Sequence, residues 1–559
     1  MTPAEGPLAR LRAQLAGPRG PQRVDALLAS DDPAEAVAAL SPTELHELVV
    51  TVGLDEAGPL LQLATPAQIQ GCIDFESWDR DRADLAMARP WFAAILELGF
   101  EKLGQVWAGL DPEWRVLFIQ SNIIVYDLYG GEDPDHDSTY LDVPDDDAPP
   151  VWMTPDGAFA VRLLGSHDEA RLSMQILDDL YRADMGLARH TLLSARSEPT
   201  ASLEETSYRW RNGRLADLGY VDFYDALELF APLTPEQFLL QAPPPDSFVD
   251  DADHGGLPLS IAEKIVARSF LARAWDRVPS AAHEALEMAL IVLVNKVLAA
   301  ARVKPGDPAA VALAADYATC TVALGLETVT RGDLDRAAAL LPTASMTRLH
   351  RVGFTITQQL ARVAKGLAPR TLTADDAATA VVSALCAPRP WMARVLDDPP
   401  RPGVRPFESP ADLRRVAEVL ATLALRLTVA EALGISLASM KDVPEPRPQL
   451  DDHVRTALGR VLAGGDLTPD ALSLGEAAAA RRALDADGPA AWAPRALAAI
   501  RAALVDRGGD GGLGTRLGAL VDQWLSDLVD ALAPLDLAHP DEFDGRFVAG
   551  VMVAAGARA

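Results

Sequence analysis

Cysteine is scarce in this chain: Cys72, Cys320 and Cys386 are the only three among 559 residues. Their number is odd and their spacing wide, so they make neither a disulfide framework nor a zinc knuckle, which suits a reducing cytoplasm. Lysine is nearly as rare, at six positions, and the basic residues are almost all arginine. With heavy Ala, Leu, Gly and Pro usage, this reflects a GC-rich genome and does not mark the arginines as selected for phosphate chemistry. No uninterrupted apolar run approaches the ~20 residues needed to span a bilayer. The nearest, Met288–Val294 and Ala309–Leu326, are flanked by Glu287 and Asn295 or interrupted by Asp316, and both read as buried helices. The first twenty residues lack an apolar core followed by a cleavage site, so a secreted protein is not expected. Neither a Walker A lysine motif nor a nucleophile elbow occurs.

Positive charge is also in deficit. Against 80 acidic residues stand 50 basic ones, a formal charge of −30. Such a protein repels a phosphate backbone, which disfavours sequence-general nucleic-acid binding and binding to anionic membranes. A basic partner or divalent cations fit better. Nearly half the residues are hydrophobic, at 49%, so sizeable cores can form, and the length allows roughly three or four domains.

What is present is first of all a repeat written in prolines. "SPTEL", "TPAQI", "RPWFA" and "DPEWR" place prolines at 42, 66, 90 and 112, spaced by 24, 24 and 22 residues. Proline is favoured at the first helical position, where its missing N–H would be unpaired anyway. Ser41 and Thr65 read as N-caps, and Glu44 and Gln68 three residues later complete two capping boxes. Leu45, Leu48 and Val49 then recur at helical spacing. One capped start every twenty-odd residues predicts a superhelix of stacked short helices over 1–126. On this rhythm, as in "DDPAEAVAALSPTELHELV", residues 31–125 resemble the intracellular N-terminal superhelical domain of MgtE-type magnesium transporters. The resemblance implies architecture alone, because the transporter's membrane segments and nucleotide-sensing domains have no counterpart here.

Three further segments, "QLATPAQIQGCIDFESWDRDR" (62–82), "SLEETSYRWRNGRLADLGYVDFYDALELF" (202–230) and "TVALGLETVTRGDLDRAAALL" (321–341), together resemble a bacterial family catalogued as domain of unknown function 6178. That likeness spans about residues 20–370 and implies no catalytic residues.

The rest of the chain reads as almost all-α, in helical bundle-like blocks. An acidic loop and a β-hairpin at 151–164, around Pro155-Asp156-Gly157, occupy 127–165. A helical hairpin domain follows over 166–241, with another capped start at Thr234. After the Pro- and Asp-rich stretch 242–256 comes a helical domain, 257–396. A second linker, 397–410, leads to an alanine-rich helical domain, 408–559, opening at Ser409-Pro410.

The densest group of functional side chains lies in residues 202–217. Glu204, Glu205, Arg209, Arg211, Arg214 and Asp217 surround Tyr208 and Trp210. Glu205 and Arg209 are four apart and share a helix face, and Asn212-Gly213 reads as a helix stop. Leu203, Trp210, Leu215 and Leu218 are expected to pack the corner, with "FYDALELF" as the return helix. Three acids balance three arginines, so the favoured reading is a self-paired helical corner. The alternative is a ligand site, for an anion or peptide carboxylate, formed by Glu205, Arg209, Trp210, Arg211 and Arg214.

In the acidic loop, "DPDHDS" sets Asp133, Asp135 and Asp137 alternately, as an EF-hand loop begins. Ser138 and Pro144 stand where that loop needs glycine and glutamate, so the EF-hand fails. A solvated flexible loop is the simpler reading, and looser Mg²⁺ or Ca²⁺ binding by Asp133, Asp135, His136 and Asp137 is the alternative. His283 and Glu287 share a helix face without a second histidine, Asp452 reads as a cap beside an incidental His453, and "GDGGLG" (509–514) follows a helix where a dinucleotide turn needs a strand.

Three functions follow as expectations. The first is a cytoplasmic, non-enzymatic scaffold or regulatory adaptor that binds other proteins. The second is a regulator responsive to divalent cations. The third is an enzyme with a site assembled from Glu205, Arg209, Arg211 and Arg214.

Overall fold

The computed structural model describes residues 21–140, 148–240, 269–303, 308–368, 376–435, 448–505, 514–534, 547–548 and 550–554. Helices dominate, with a few small sheets of two or three strands. The proline-marked repeat folds as its sequence dictates. Helices α1 (Pro21–Leu28), α2 (Pro33–Ala38), α3 (Pro42–Val52), α4 (Gly58–Leu63), α5 (Pro66–Glu76), α6 (Arg89–Leu96), α7 (Phe100–Gly109) and α8 (Pro112–Asn122) follow one another through short turns. Both capping boxes form: Glu44 N donates to Ser41 Oγ at 3.2 Å and Ser41 N to Glu44 Oε2 at 2.9 Å, with the same exchange between Thr65 and Gln68. Gln68 goes further, giving Nε2 to the carbonyls of Val37 and Leu40 at 2.8 and 2.7 Å. One side chain thus caps its own helix and ties it to the end of α2, where helix carbonyls lack a full set of intrahelical partners.

α3, α5 and α7 stack in a row, and glycine allows the close approach. A Cβ added at Gly71 would lie 2.5 Å from Pro42 Cβ, and one at Gly109 would lie 2.4 Å from Pro66 Cβ. Pro42 and Pro66, each at a helix start, thus lie against a glycine of a later helix. Between α5 and α6, Trp78–Asp79 (β1) and Arg82–Ala83 (β2) form a small antiparallel pair.

The hairpin of the sequence reading is present, as β4 (Val151–Met153) and β5 (Phe159–Leu163), but it is not alone. α8 runs straight into a strand, β3 (Ile123–Asp127), which pairs with β5, giving the order β3-β5-β4. The β-branched run Ile123-Ile124-Val125 supplies the strand preference. The inner face of the sheet, with Val125, Phe159, Val161 and Leu163, belongs to one continuous core that runs from Val24 to Leu203. It is covered by α9 (His167–Ala183) and α10 (Met185–Ser197), and α11 (Thr200–Asp217) lies along α8.

The chain divides into two compact units. The first comprises 1–231, 241–319 and 334–350; the second 232–240, 320–333 and 351–559. The three blocks read from sequence between 1 and 241 thus lie almost wholly in one unit, and 257–396 contributes to both. Composition marks connections and not packing, which explains the coarser division. The stretch 397–410 is folded rather than a plain linker. Met392–Ala393 (β6) pairs with Val404–Arg405 (β7), and Arg405 binds Asp397 at 2.9 Å and both oxygens of Asp412 at 2.8 and 3.0 Å. Ser409 makes no side-chain cap to the helix Pro410–Ala432; Asp412 instead accepts from Glu408 N. Thr234 does cap its helix, accepting from Gln237 N at 3.2 Å. One described segment, Ala309–Thr330, is long and apolar enough to cross a membrane by length and composition, and 67% of its most apolar window is buried within the protein.

Candidate functional site

α11 does not stop at Asn212-Gly213. It continues to Asp217 and ends where Gly219 turns with φ +80. The chain's local stop signal is overridden because the following turn carries Arg214, which is held by tertiary partners. After the turn, Asp222 starts a short helix, α12 (Phe223–Ala226), by accepting from Tyr224 N at 2.8 Å. Asp222 also accepts from the Tyr208 hydroxyl and from Asn212 Nδ2 at 3.0 Å, so the corner exists and one carboxylate ties it.

The expectation of a self-paired cluster is corrected. Only Glu205 and Arg209 pair within α11, at 2.5 Å on the outer face, with side chains 67% and 72% exposed. Glu204, Arg211 and Arg214 reach the repeat domain, whereas Asp217 is exposed. Glu204 Oε1 accepts from Ala83 N at 2.8 Å. Arg211 gives Nε to the Asp74 carbonyl at 3.0 Å and lies 5.6 Å over the Trp78 ring. Arg214 grips Asp74 with two bonds, Nε to Oδ2 at 2.7 Å and Nη2 to Oδ1 at 3.1 Å, and reaches Asp111 Oδ2 at 3.4 Å. Beneath it Gln70 joins the two acids, donating Nε2 to Asp74 Oδ1 at 2.9 Å and accepting from Asp111 N at 2.8 Å. Asp74 is wholly buried, a position a carboxylate occupies only when paired.

Burial governs the electrostatics of this node. It pushes the Asp111 carboxyl up to about 7, helped by a hydrogen bond to Glu113 and opposed by Arg214. Arg214 spends its two short bonds on Asp74, which leaves Asp111 with long ones and lets burial prevail there. For Arg214 itself burial works against the charge, yet its bonds to Asp74 and Asp111 raise the guanidinium above its ordinary value. Tyr208, partly buried and bonded to Asp222, is pushed up to about 12.

Trp210, expected to pack the corner, is instead 57% exposed. The five residues of the proposed ligand site therefore split. Arg211 and Arg214 face the repeat domain, whereas Glu205, Arg209 and Trp210 stand on the exposed surface.

The acidic turn is ordered where it is described. Pro134–His136 forms a 3₁₀ turn. Asp133 accepts from Asp135 N at 2.9 Å and pairs with His136 Nδ1 at 2.8 Å. Asp137 accepts from Tyr126 Oη at 2.6 Å and from Thr139 N at 2.9 Å. Arg162, buried in β5, donates to the Pro134 carbonyl at 2.7 Å and lies 4.3 Å over the Tyr140 ring. A wide groove of roughly 520 Å³ is lined here by Val125, Tyr126, Glu132, Asp133, His136, Asp137 and Arg196. The backbone bond from Asp135 and the His136 contact hold the Asp133 carboxyl below its ordinary value, as the Tyr126 and Thr139 bonds do for Asp137. Asp133 and Asp137 therefore address separate protein partners, and the described residues contain no group of three His, Cys, Asp or Glu able to hold a metal ion. Residues 141–147, with the rest of the acidic run, lie outside the described residues.

The other candidates stay apart. His283 Nε2 bonds the Val278 carbonyl at 3.1 Å while Glu287 is exposed. Asp452 sits three residues into its helix, accepting from Gln449 N at 2.6 Å, and is not the cap itself. Residues 509–513 of "GDGGLG" lie outside the described residues. Sequence reasoning passed over His46, which is fully buried, bonds Glu76 Oε1 at 2.8 Å and stacks on Trp91.

The comparisons with known proteins extend the likeness seen in the sequence. Residues 3–554 match the family described as "Family of unknown function (DUF6178)". No curated protein and no solved structure matches the chain.

Proposed function

Since the chain belongs to this family of unknown function, whose description carries no activity, we propose that it is a non-enzymatic helical scaffold or regulatory adaptor that binds other proteins. The observation that carries the reading is Trp210. A tryptophan 57% exposed stands beside the exposed Arg209, on a helix whose opposite side is pinned to the repeat domain, and leaves most of its surface to solvent. Tryptophan and arginine are the residue types that dominate binding energy at protein interfaces. Stacked short helices supply the extended surface on which such residues commonly work. A cytoplasmic setting belongs to the same reading and is supported by Cys72, Cys320 and Cys386, none of which is in a disulfide.

The test is affinity capture of the tagged full chain from its host's lysate, wild type beside Trp210→Ala. The adaptor reading expects a stoichiometric partner with wild type, reduced at least about tenfold in the variant, with an unchanged melting temperature. A partner retained equally by Trp210→Ala would move the interface elsewhere, and no partner under either condition would refute the reading.

A further inference from the structure

Little apolar surface holds α11 in its seat. Along its eighteen residues only Leu203, Ser207 and Leu215 are buried. Half-buried Tyr208 adds a ring contact with Trp78 at 5.7 Å, and the remaining attachments are polar: Thr200 Oγ1 to Gln120 Oε1 at 3.0 Å, Glu204 to Ala83 N, Arg211 to the Asp74 carbonyl, and Arg214 between Asp74 and Asp111. Segments with few buried apolar contacts open locally at free energies below that of global unfolding. α5 and α8, by contrast, are built into the core through Ile69, Ile73, Trp114, Leu117 and Phe118.

We propose that α11 is a strap that lifts from α5 and α8 as a unit, with Arg214 between Asp74 and Asp111 as its latch. Lifting uncovers a seat made of Asp74, Trp78 and Asp111, acidic and aromatic together.

The latch responds to pH through Asp111. The charged groups around it are Glu113 and Arg115 on its own helix, Arg214 from α11, and Asp74 of α5 behind the shared guanidinium. In the seated state burial holds the Asp111 carboxyl at about 7, against an ordinary 3.8. Lifting hydrates the carboxylate and returns it toward the ordinary value. The seated state therefore keeps a proton that the lifted state releases, across the window between those two values. Loss of Arg214 on lifting works the other way, but its 3.4 Å contact with Asp111 is the weaker influence. Lifting thus becomes easier as pH rises, by about tenfold between pH 6 and 8 when the two values are linked.

Hydrogen exchange read by mass spectrometry on the full chain tests this, with protection corrected for the intrinsic pH dependence of amide exchange. Peptides within 200–217 are expected to lose about tenfold in protection from pH 6 to 8, while 112–122 hold theirs. Asp111→Asn, a neutral stand-in for the protonated acid, is expected to remove the pH dependence. Arg214→Gln is expected to lower protection of 200–217 at both pH values. Wild-type protection that does not change with pH, a tenfold change surviving in Asp111→Asn, or α8 exchanging in step with α11 would each overturn the strap.

Discussion

Asp111 stands immediately before Pro112, where an acidic residue ordinarily caps the helix start, yet its side chain makes no cap bond. Its carboxylate turns instead to Arg214, and its amide to Gln70. Part of this was legible. In "QIQGCIDFE", Gln70 and Asp74 are four apart on an otherwise buried helix, so a polar pair facing a core was readable from spacing alone. The partner was not, because Arg214 lies 140 residues away among arginines that look alike in sequence. Lys102 is a second residue of this kind. It is buried, its amine is held below the ordinary value by burial, and it donates to the carbonyls of Gln62 and Ala64 at 2.9 and 2.7 Å. Lys102→Met keeps the stem and strands both carbonyls, so chemical denaturation is expected to show a loss of about 1–3 kcal/mol.

Among the elements, the helices with capped starts were the readable part, since a cap and a first-turn proline are local chemistry. The strand β3 was not. Ile123–Asp127 follows α8 with no turn residue between them, so its β-branched run does not stand apart from the helix in sequence, and its pairing with β5 completes the strand. Glycine shows the same split between local and tertiary causes. Gly213, which reads as a stop, sits in mid-helix with open space around it, whereas Gly109 is pressed against Pro66. Gly213→Ala is therefore expected to stabilise the protein by up to about 1 kcal/mol. Gly109→Ala is expected to cost about 1–3 kcal/mol through overpacking. The acidic turn at 132–140 belongs to this scale as well. Its alternating aspartates suggested a cation site, but the carboxylates of Asp133 and Asp137 are already bonded within the protein. Millimolar Mg²⁺ or Ca²⁺ is accordingly expected to leave the melting temperature unchanged with or without chelator, which a thermal-shift series checks.

Taken whole, the molecule was readable as mainly helical and as a member of its family, and both readings rest on patterns repeated along the chain. The division into units was less so, because 320–333 and 232–240 pack with the second unit although nothing in their composition sets them apart. The charged stretch at 202–217 links these scales, since Glu204, Arg211 and Arg214 serve the architecture while Glu205, Arg209 and Asp217 remain at the surface. The most direct test is the unfolding free energy of Arg214→Gln beside Arg209→Gln, measured by chemical denaturation. Removing Arg214 leaves Asp74 buried with Gln70 as its remaining side-chain partner, and a loss of about 3–5 kcal/mol is expected. Removing Arg209 breaks only an exposed pair and is expected to cost under about 0.5 kcal/mol. Similar small losses for both variants would contradict the account, since Arg214 would then be no more structural than its exposed neighbour.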